Sequence, residues 1–253
     1  MLKTDANSEY HALQAQYQHR FHAGLNVTAS YAWGHMIDTV GDETNGDRAM
    51  IQNPSVYKRA NSLYDIPQRL VASYVYELPI GRSWKGVPGA LFGGWSLSGL
   101  VTFQKGPPIW VAQANDQQND DGTAQNSTFF GSNSVERPNF IPGVPLTVSQ
   151  PSPTKWFNTA AFTPSVLQYG NTPRNPAGLY APGLSNLDQT FFKTFKMPYR
   201  EAHQLQFRAE MFNFMNIPHF AAPNSALGTG GFGTITSTSN TNRLIQFALR
   251  YSF

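Results

Sequence analysis

Hydrophobic and polar residues alternate with period two in seven stretches of the chain, the pattern of β-strands whose two faces meet different surroundings. In residues 10–21, Leu13, Ala15, Tyr17 and Phe21 oppose Gln14, Gln16, Gln18 and Arg20. In 25–33, Leu25, Val27, Ala29, Tyr31 and Trp33 oppose Asn26, Thr28, Ser30 and Ala32. Residues 69–78 gather Leu70, Ala72, Tyr74, Tyr76 and Leu78 on one face, while Val71 and Val75 blur the other. Residues 95–103 alternate from Trp95 through Leu97, Gly99 and Val101 to Phe103. The stretch 187–195 is least regular, with Leu187, Phe191 and Phe195 as its better apolar face. In 203–214, Leu205, Phe207, Ala209 and Met211 oppose Gln204, Gln206, Arg208 and Glu210. At the C-terminus Ile245, Phe247, Leu249, Tyr251 and Phe253 oppose Gln246, Ala248, Arg250 and Ser252.

The connections alternate in length. Three are shorter, at 22–24, 79–94 and near 198–202, and three are long, at about 35–65, 113–182 and 217–241. An antiparallel meander gathers the shorter three at one end and the longer three at the other. Transmembrane barrels have this asymmetry, with short periplasmic turns and long outer loops, and tilted strands of about 9–11 residues cross a bilayer. Trp33, Phe103 and Phe214 near the long loops, and Phe21, Trp95, Phe195 and Tyr251 near the short turns, resemble two interfacial girdles. The predicted fold is therefore all-β, an antiparallel meander of about seven transmembrane strands. The stretch 113–182, without periodicity and rich in Pro, Asn, Gly and Ser, is too long for an ordinary connection. It reads as a functional loop system, a plug-like insert or disorder. A soluble antiparallel sandwich also alternates, and in a carbohydrate-binding version of it Trp110 and Trp156, read as exposed aromatics, would stack on sugars.

Composition narrows this further. The 253 residues are only 13% charged and 13% aromatic, a balance opposed to a disordered chain or a charge-rich helical bundle. There is no cysteine, which removes disulfide scaffolds, thiolate metal sites and cysteine nucleophiles. The net charge of +3 is spread along the chain without a basic run, so nucleic acid is not an expected partner. Residues 1–8 have neither the apolar core nor the cleavage site of a signal peptide. The longest uncharged run, 86–103, is broken by glycines and Pro88 and makes a poor transmembrane helix.

Chemical motifs are weak. Gly228-Thr229-Gly230-Gly231-Phe232-Gly233 fits G-x-G-x-x-G, but Thr234-Ile235-Thr236 after it is not helical, so it reads as a flexible outer loop rather than a nucleotide site. Gly94-Trp95-Ser96-Leu97-Ser98 misses the nucleophile elbow at its last position. The histidines lack zinc-binding spacing. Asp116, Asp120 and Asp121, with Asn115 and Asn119, have the oxygen density of a calcium loop, yet Thr128 stands where an EF-hand needs its bidentate Glu. No catalytic residue, cofactor or metal site is expected. Arg208 and Glu210 share a polar face, and a lumenal network joining them to Asp188 is the expected polar site.

The final strand resembles the terminal strand of bacterial outer-membrane proteins, the segment read by the barrel-assembly machinery. Its polar, small and aromatic positions fall on Gln246, Ala248, Tyr251 and Phe253, with Ala248 in place of the usual Gly. A longer resemblance spans nearly the whole chain. It is carried by Tyr10 to Gln14, Gly24-Leu25, Tyr31-Ala32-Trp33, Asp65 to Arg69, Trp156-Phe157-Asn158, Tyr169-Gly170-Asn171 and Pro182 to Asp188. Phe207-Arg208-Ala209-Glu210-Met211-Phe212-Asn213, then Asn216, Pro218, Phe220, Phe232-Gly233 and Arg243 to Phe253, complete it. In these residues the chain resembles the C-terminal part of a TonB-dependent outer-membrane receptor barrel of the Oar-like group. The resemblance implies a barrel of about 22 strands around a plug. About seven strands are expected here, as a fragment of the barrel domain spanning 1–253, with plug and TonB box N-terminal to Met1. It also implies a non-enzymatic role, TonB-driven uptake of an unidentified solute across the outer membrane. The implied partners are outer-membrane lipid, the assembly machinery and TonB. A passive porin or surface adhesin on the same strands is the alternative.

Overall fold

The computed structural model describes residues 7–21, 24–39, 59–81, 83–113, 137–165, 170–197, 203–240 and 242–253. Seven long strands run through them: β1 (Ser8–Arg20), β2 (Leu25–Asp38), β3 (Gln68–Glu77), β4 (Trp95–Gln104), β5 (Leu184–Lys196), β6 (Gln204–Phe212) and β7 (Leu244–Ser252). They pair in chain order as one antiparallel meander, and the short strand Ala60–Asn61 adds to the end of β2.

The pairing register places the seven apolar faces on one side of the sheet. One row across the strands reads Leu13, Trp33, Gln68, and another, four residues further along β1, reads Tyr17, Ala29, Ala72, Val101, Leu187. Phe191, Ala209 and Phe247 continue the same face to β7. A slip of one residue at any pair would have reversed a whole strand. Large apolar residues on this face stay exposed, among them Leu13, Trp33, Phe247 and Leu249. Among the described residues only Ala209 of this face is a buried apolar residue, and the buried apolar cluster gathers elsewhere, so the sheet carries no conventional core on this side.

The irregularity of β5 has a structural cause. Its apolar face includes Gln189 and Lys193 as well as Leu187, Phe191 and Phe195. Gln189 lies opposite Gly99 and accepts a hydrogen bond from the Tyr74 hydroxyl, while its amide donates to the Ser98 carbonyl at 3.0 Å. The Tyr74 ring crosses Gly99, where an added Cβ would come within 2.6 Å of it. A small residue at 99 is therefore what lets the two polar groups meet.

Several expectations are corrected at strand ends. Asn213 turns with φ 50°, so β6 stops at Phe212 and Phe214 belongs to the following turn, outside the girdle. The second strand continues past Trp33 to Asp38. The connection between β3 and β4 contains a short helix, α1 (Gly86–Phe92). The shorter connections lie at one end of the meander and the longer three at the other, as the alternating strand directions require.

Candidate functional site: the polar face and the outer loop cap

The polar face carries Gln14, Gln16, Ser30, Arg69, Ser98, Gln206 and Arg208 at facing positions. Arg208 pairs with Glu210 at 2.7 Å, and its Nε donates to the same carboxylate at 3.0 Å. Gln246 of β7 donates to the other Glu210 oxygen at 2.5 Å, and the Arg208 guanidinium lies 6.0 Å from the Phe192 ring centre. Asp188 does different work. It accepts from Asn186 Nδ2 and from the backbone N–H of Asn213, both at 2.9 Å, and so fixes the turn that ends β6. Arg208, Glu210 and Gln246 are brought together; Asp188 is bonded to the turn instead.

At the end of β7 the Tyr251 hydroxyl bonds Nδ1 of His203, and the Tyr251 and Phe253 rings lie 6.1 Å apart. Gln246 and Ala248 point to the opposite face, paired with Glu210 and Arg208. The four proposed assembly positions thus divide between both faces of one edge strand.

The long connections fold together as a cap. Ile109, Val111, Phe157, Ala161, Phe162, Leu179 and Ala181 form a buried core, with Phe140, Trp156, Leu227 and Phe232 packed around it. The Phe157 and Phe232 rings meet edge to face at 5.1 Å, and both also contact Phe162. Such aromatic pairs contribute about 0.5–1.5 kcal/mol each beyond area burial. The apolar residues that build this core are separated by turns, which explains why no period announces them. Backbone bonds interlock two of the loops: Ala112 N–H donates to the Ser225 carbonyl at 3.1 Å, and Trp156 N–H to the Gly233 carbonyl at 2.8 Å.

Two sequence readings change here. Trp156 is partly buried, its indole N–H donating to the Tyr180 carbonyl at 2.8 Å, and Trp110 is also partly buried with its ring nitrogen enclosed, so neither is a free sugar-stacking platform. The glycine-rich run is not a loose loop: Phe232 packs on the core, Thr229 donates to the Ala226 carbonyl at 2.8 Å, and Asn224 donates to Thr229 at 2.8 Å. Residues 113–182 are, where described, an ordered part of this cap. The acidic stretch with Asp116, Asp120 and Asp121 lies outside the described residues.

A buried polar network fastens the end of β2 and the described part of the connection after it, residues 59–67, to the cap. Asp65 is 1% exposed. It accepts from Met36 N–H at 2.8 Å and from the Tyr180 hydroxyl at 3.1 Å, and lies 3.0 Å from His35 Nδ1. Asn175 donates to the Asn61 carbonyl at 2.6 Å. Arg174, almost fully buried, pairs with the buried carboxylate of Asp38 and also donates to the Asp38 carbonyl at 3.1 Å. Burial pulls the Arg174 guanidinium down to about 10, so it remains charged at neutral pH. Burial first, then the Asp65 charge and its hydrogen bond, push the Tyr180 hydroxyl up to about 12.

Sequence reasoning assigned no chemistry to Asp38, Asp65, Arg174, Asn175 or Tyr180. The available signal was Asp65 in the run Asp65-Ile66-Pro67, among the residues carrying the family resemblance. Other residues of that kind are loop architecture as well: Asn158 holds the Pro145 carbonyl at 2.8 Å, and Asn171 accepts from Phe140 N–H at 2.6 Å.

A single meander with one exposed apolar face, one polar face and an interlocked loop cap at the end of its long connections is the wall of an outer-membrane barrel. The family model described as "Outer membrane beta barrel domain" matches residues 1–246, and the chain belongs to that family. Its place is accordingly the bacterial outer membrane, where the apolar face meets lipid. No curated protein and no solved structure matches the chain.

Proposed function

We infer that the chain forms part of a TonB-dependent receptor that takes up a scarce solute across the outer membrane, without covalent chemistry. The observation that carries this reading is the loop cap. Its own core and its buried Asp65 and Arg174 contacts hold the described parts of three loops in fixed relation at the outer end of a polar wall. A receptor gains affinity when its recognition loops are ordered before the ligand arrives. The run from Phe207 to Asn213 supports the same family on resemblance. In this reading a plug closes the lumen, TonB drives its rearrangement, and the assembly machinery reads the strand ending in Tyr251 and Phe253. The two edge strands, β1 and β7, would pair with further strands of the same barrel.

The test uses the full-length gene product in its own outer membrane. In vivo cross-linking should give an adduct with TonB, and the purified protein in planar bilayers should remain closed. A steady open-channel conductance without a TonB adduct would overturn the reading in favour of a passive porin. An adhesin would give neither adduct nor conductance, and would bind a surface instead.

A further inference from the structure

The connection between β3 and β4 is folded against the lipid-facing side of the sheet. Trp95 and Lys193 are cross-strand partners on the apolar face. The Trp95 indole N–H donates to the Leu91 carbonyl at 3.0 Å. The Lys193 ammonium donates to the Ala90 carbonyl at 2.5 Å and also to the Gly93 carbonyl. Both anchors therefore hold the C-terminal end of α1 on the face that meets lipid. Gly89 lets the helix close on its own connection, since a Cβ there would lie 2.1 Å from the Trp84 carbonyl oxygen.

This arrangement resolves one anomaly and leaves another. A lysine on the lipid face is costly at the bilayer midplane and much less so near the interface. Lys193 is 5% exposed, its charge spread over two carbonyls and its ammonium 4.9 Å from the Phe195 ring centre. The helix thus covers the ammonium. The outer surface of the helix and its flanks, however, is apolar: Val87 is 71% exposed, Leu91 and Phe92 of the helix are more than half exposed, and so are Ile80 and Trp84 before it. α1 carries no acidic or basic side chain, while Lys85 stands exposed just before it.

We propose that α1 and its described flanks, Ile80 and residues 83–92, form an interfacial anchor seated in the periplasmic leaflet of the outer membrane, with phospholipid as its ligand. The patch is continuous with the lipid-facing belt through Trp95, whose ring packs edge to face on Phe207 at 6.0 Å. It sits at the short-turn end of the meander, which in these barrels faces the periplasm. An apolar helix flanked by a cation lies in the headgroup boundary, its apolar side chains among acyl chains and its lysine among phosphates. The inference rests on the outer-membrane placement alone and holds whatever the transported solute is.

These 253 residues contain no cysteine, so the test needs only that any cysteine in the rest of the full-length protein be changed to Ser first. Single-cysteine variants of the full-length protein at Val87, Leu91 and Phe92 carry a nitroxide and are folded into bilayers of phosphatidylethanolamine and phosphatidylglycerol. Leu97→Cys serves as the lipid-facing reference and Gln16→Cys as the polar-face reference. The ratio of collision with oxygen to collision with a water-soluble nickel chelate should approach that of Leu97 and exceed that of Gln16 severalfold. Nickel access above oxygen access would mean a solvated loop and overturn the proposal. Low access to both would mean a protein partner covers the patch, and would overturn it as well. The unsubstituted chain gives an independent reading: phosphatidylethanolamine bearing a diazirine on its acyl chain should label residues 84–92. Adducts confined to the strands would refute the anchor.

Discussion

Replacing Asp65 by Asn tests whether the outer loops are held by the buried carboxylate. The change keeps the volume and removes the charge. In the native chain one carboxylate takes the Met36 N–H on one oxygen, and faces the Tyr180 hydroxyl and His35 Nδ1 on the other. The amide of Asn retains a single acceptor oxygen and turns an NH2 group toward a former donor. If Met36 keeps its partner, the Tyr180 hydroxyl can reorient to accept, so the loss is that of one charge-assisted bond with its rearrangement. Hydrogen bonds to charged groups contribute about 1.5–3 kcal/mol. A loss of about 2–3 kcal/mol is roughly 30–150-fold in the local opening equilibrium, at about 1.4 kcal/mol per factor of ten.

The assay is native-state hydrogen exchange on the folded, bilayer-inserted protein, read at the foot of the first long loop. The Met36 amide reports directly, and the Ser62 amide, which donates to the Met36 carbonyl at 2.9 Å, reports the loop returning to β2. Both should exchange faster by that factor, while amides at the β3–β4 pairing keep their protection, because local opening does not require the sheet to part. Unchanged protection at Met36 and Ser62 would refute the carboxylate as the fastening. Equal loss of protection in β3 and β4 would show that cap and wall open as one unit.

Three further outcomes follow from the same geometry. Tyr180 ionises near 10.0 in an unfolded chain and near 12 in the folded one, so its contribution to the cap is complete below pH 10 and is lost as pH rises through about 12; Tyr180→Phe should remove that alkaline decline in loop protection measured by exchange. Nitroxides at Leu13, Tyr17, Val27, Leu97, Phe207 and Leu249 should collide with bilayer oxygen, and those at Gln16, Ser98 and Gln206 with a water-soluble relaxer; the opposite partition would mean a register shifted by one residue. Changing Tyr251 and Phe253 to Ala should cut the outer-membrane level of the full-length protein sharply, although lost burial accounts for only about 1.5–3 kcal/mol per large side chain; normal levels of heat-modifiable protein would remove this strand from any role in assembly.

What could be read in the sequence and what could not divide along a physical line. In a barrel wall each residue's surroundings follow from its parity, lipid on one side and water on the other, so Leu13 or Gln16 can be assigned from its immediate neighbours alone. That is why seven strands were legible within a few residues at their ends. Even the poorest strand fails for a local reason: Gln189 and Lys193 occupy apolar-face positions because Tyr74 and the carbonyls of α1 satisfy them. The helix itself was hidden, because its apolar run is interrupted by Pro88 and three glycines at 86, 89 and 93 that also permit a turn.

The cap obeys a different rule. Its contacts join residues far apart in the chain: Arg174 meets Asp38 across 136 positions and Asn175 meets Asn61 across 114. Nothing near Arg174 in the sequence distinguishes a buried arginine from a solvated one, and nothing near Asp65 names its three partners. The sequence around them is rich in Pro, Asn and Gly because turns must aim these side chains at distant positions, and the same composition erases periodicity. A charge buried this way is costly unless its partner is in place, and removing one partner typically costs about 3–5 kcal/mol. Such a pair therefore penalises any docking of the loops that separates Asp38 from Arg174, while the core around Phe157 supplies non-directional attraction. The wall gains its two faces from the medium, whereas the cap must specify its geometry from within; the residues that select among loop arrangements are for that reason those least visible to pattern and most exposed to single substitutions.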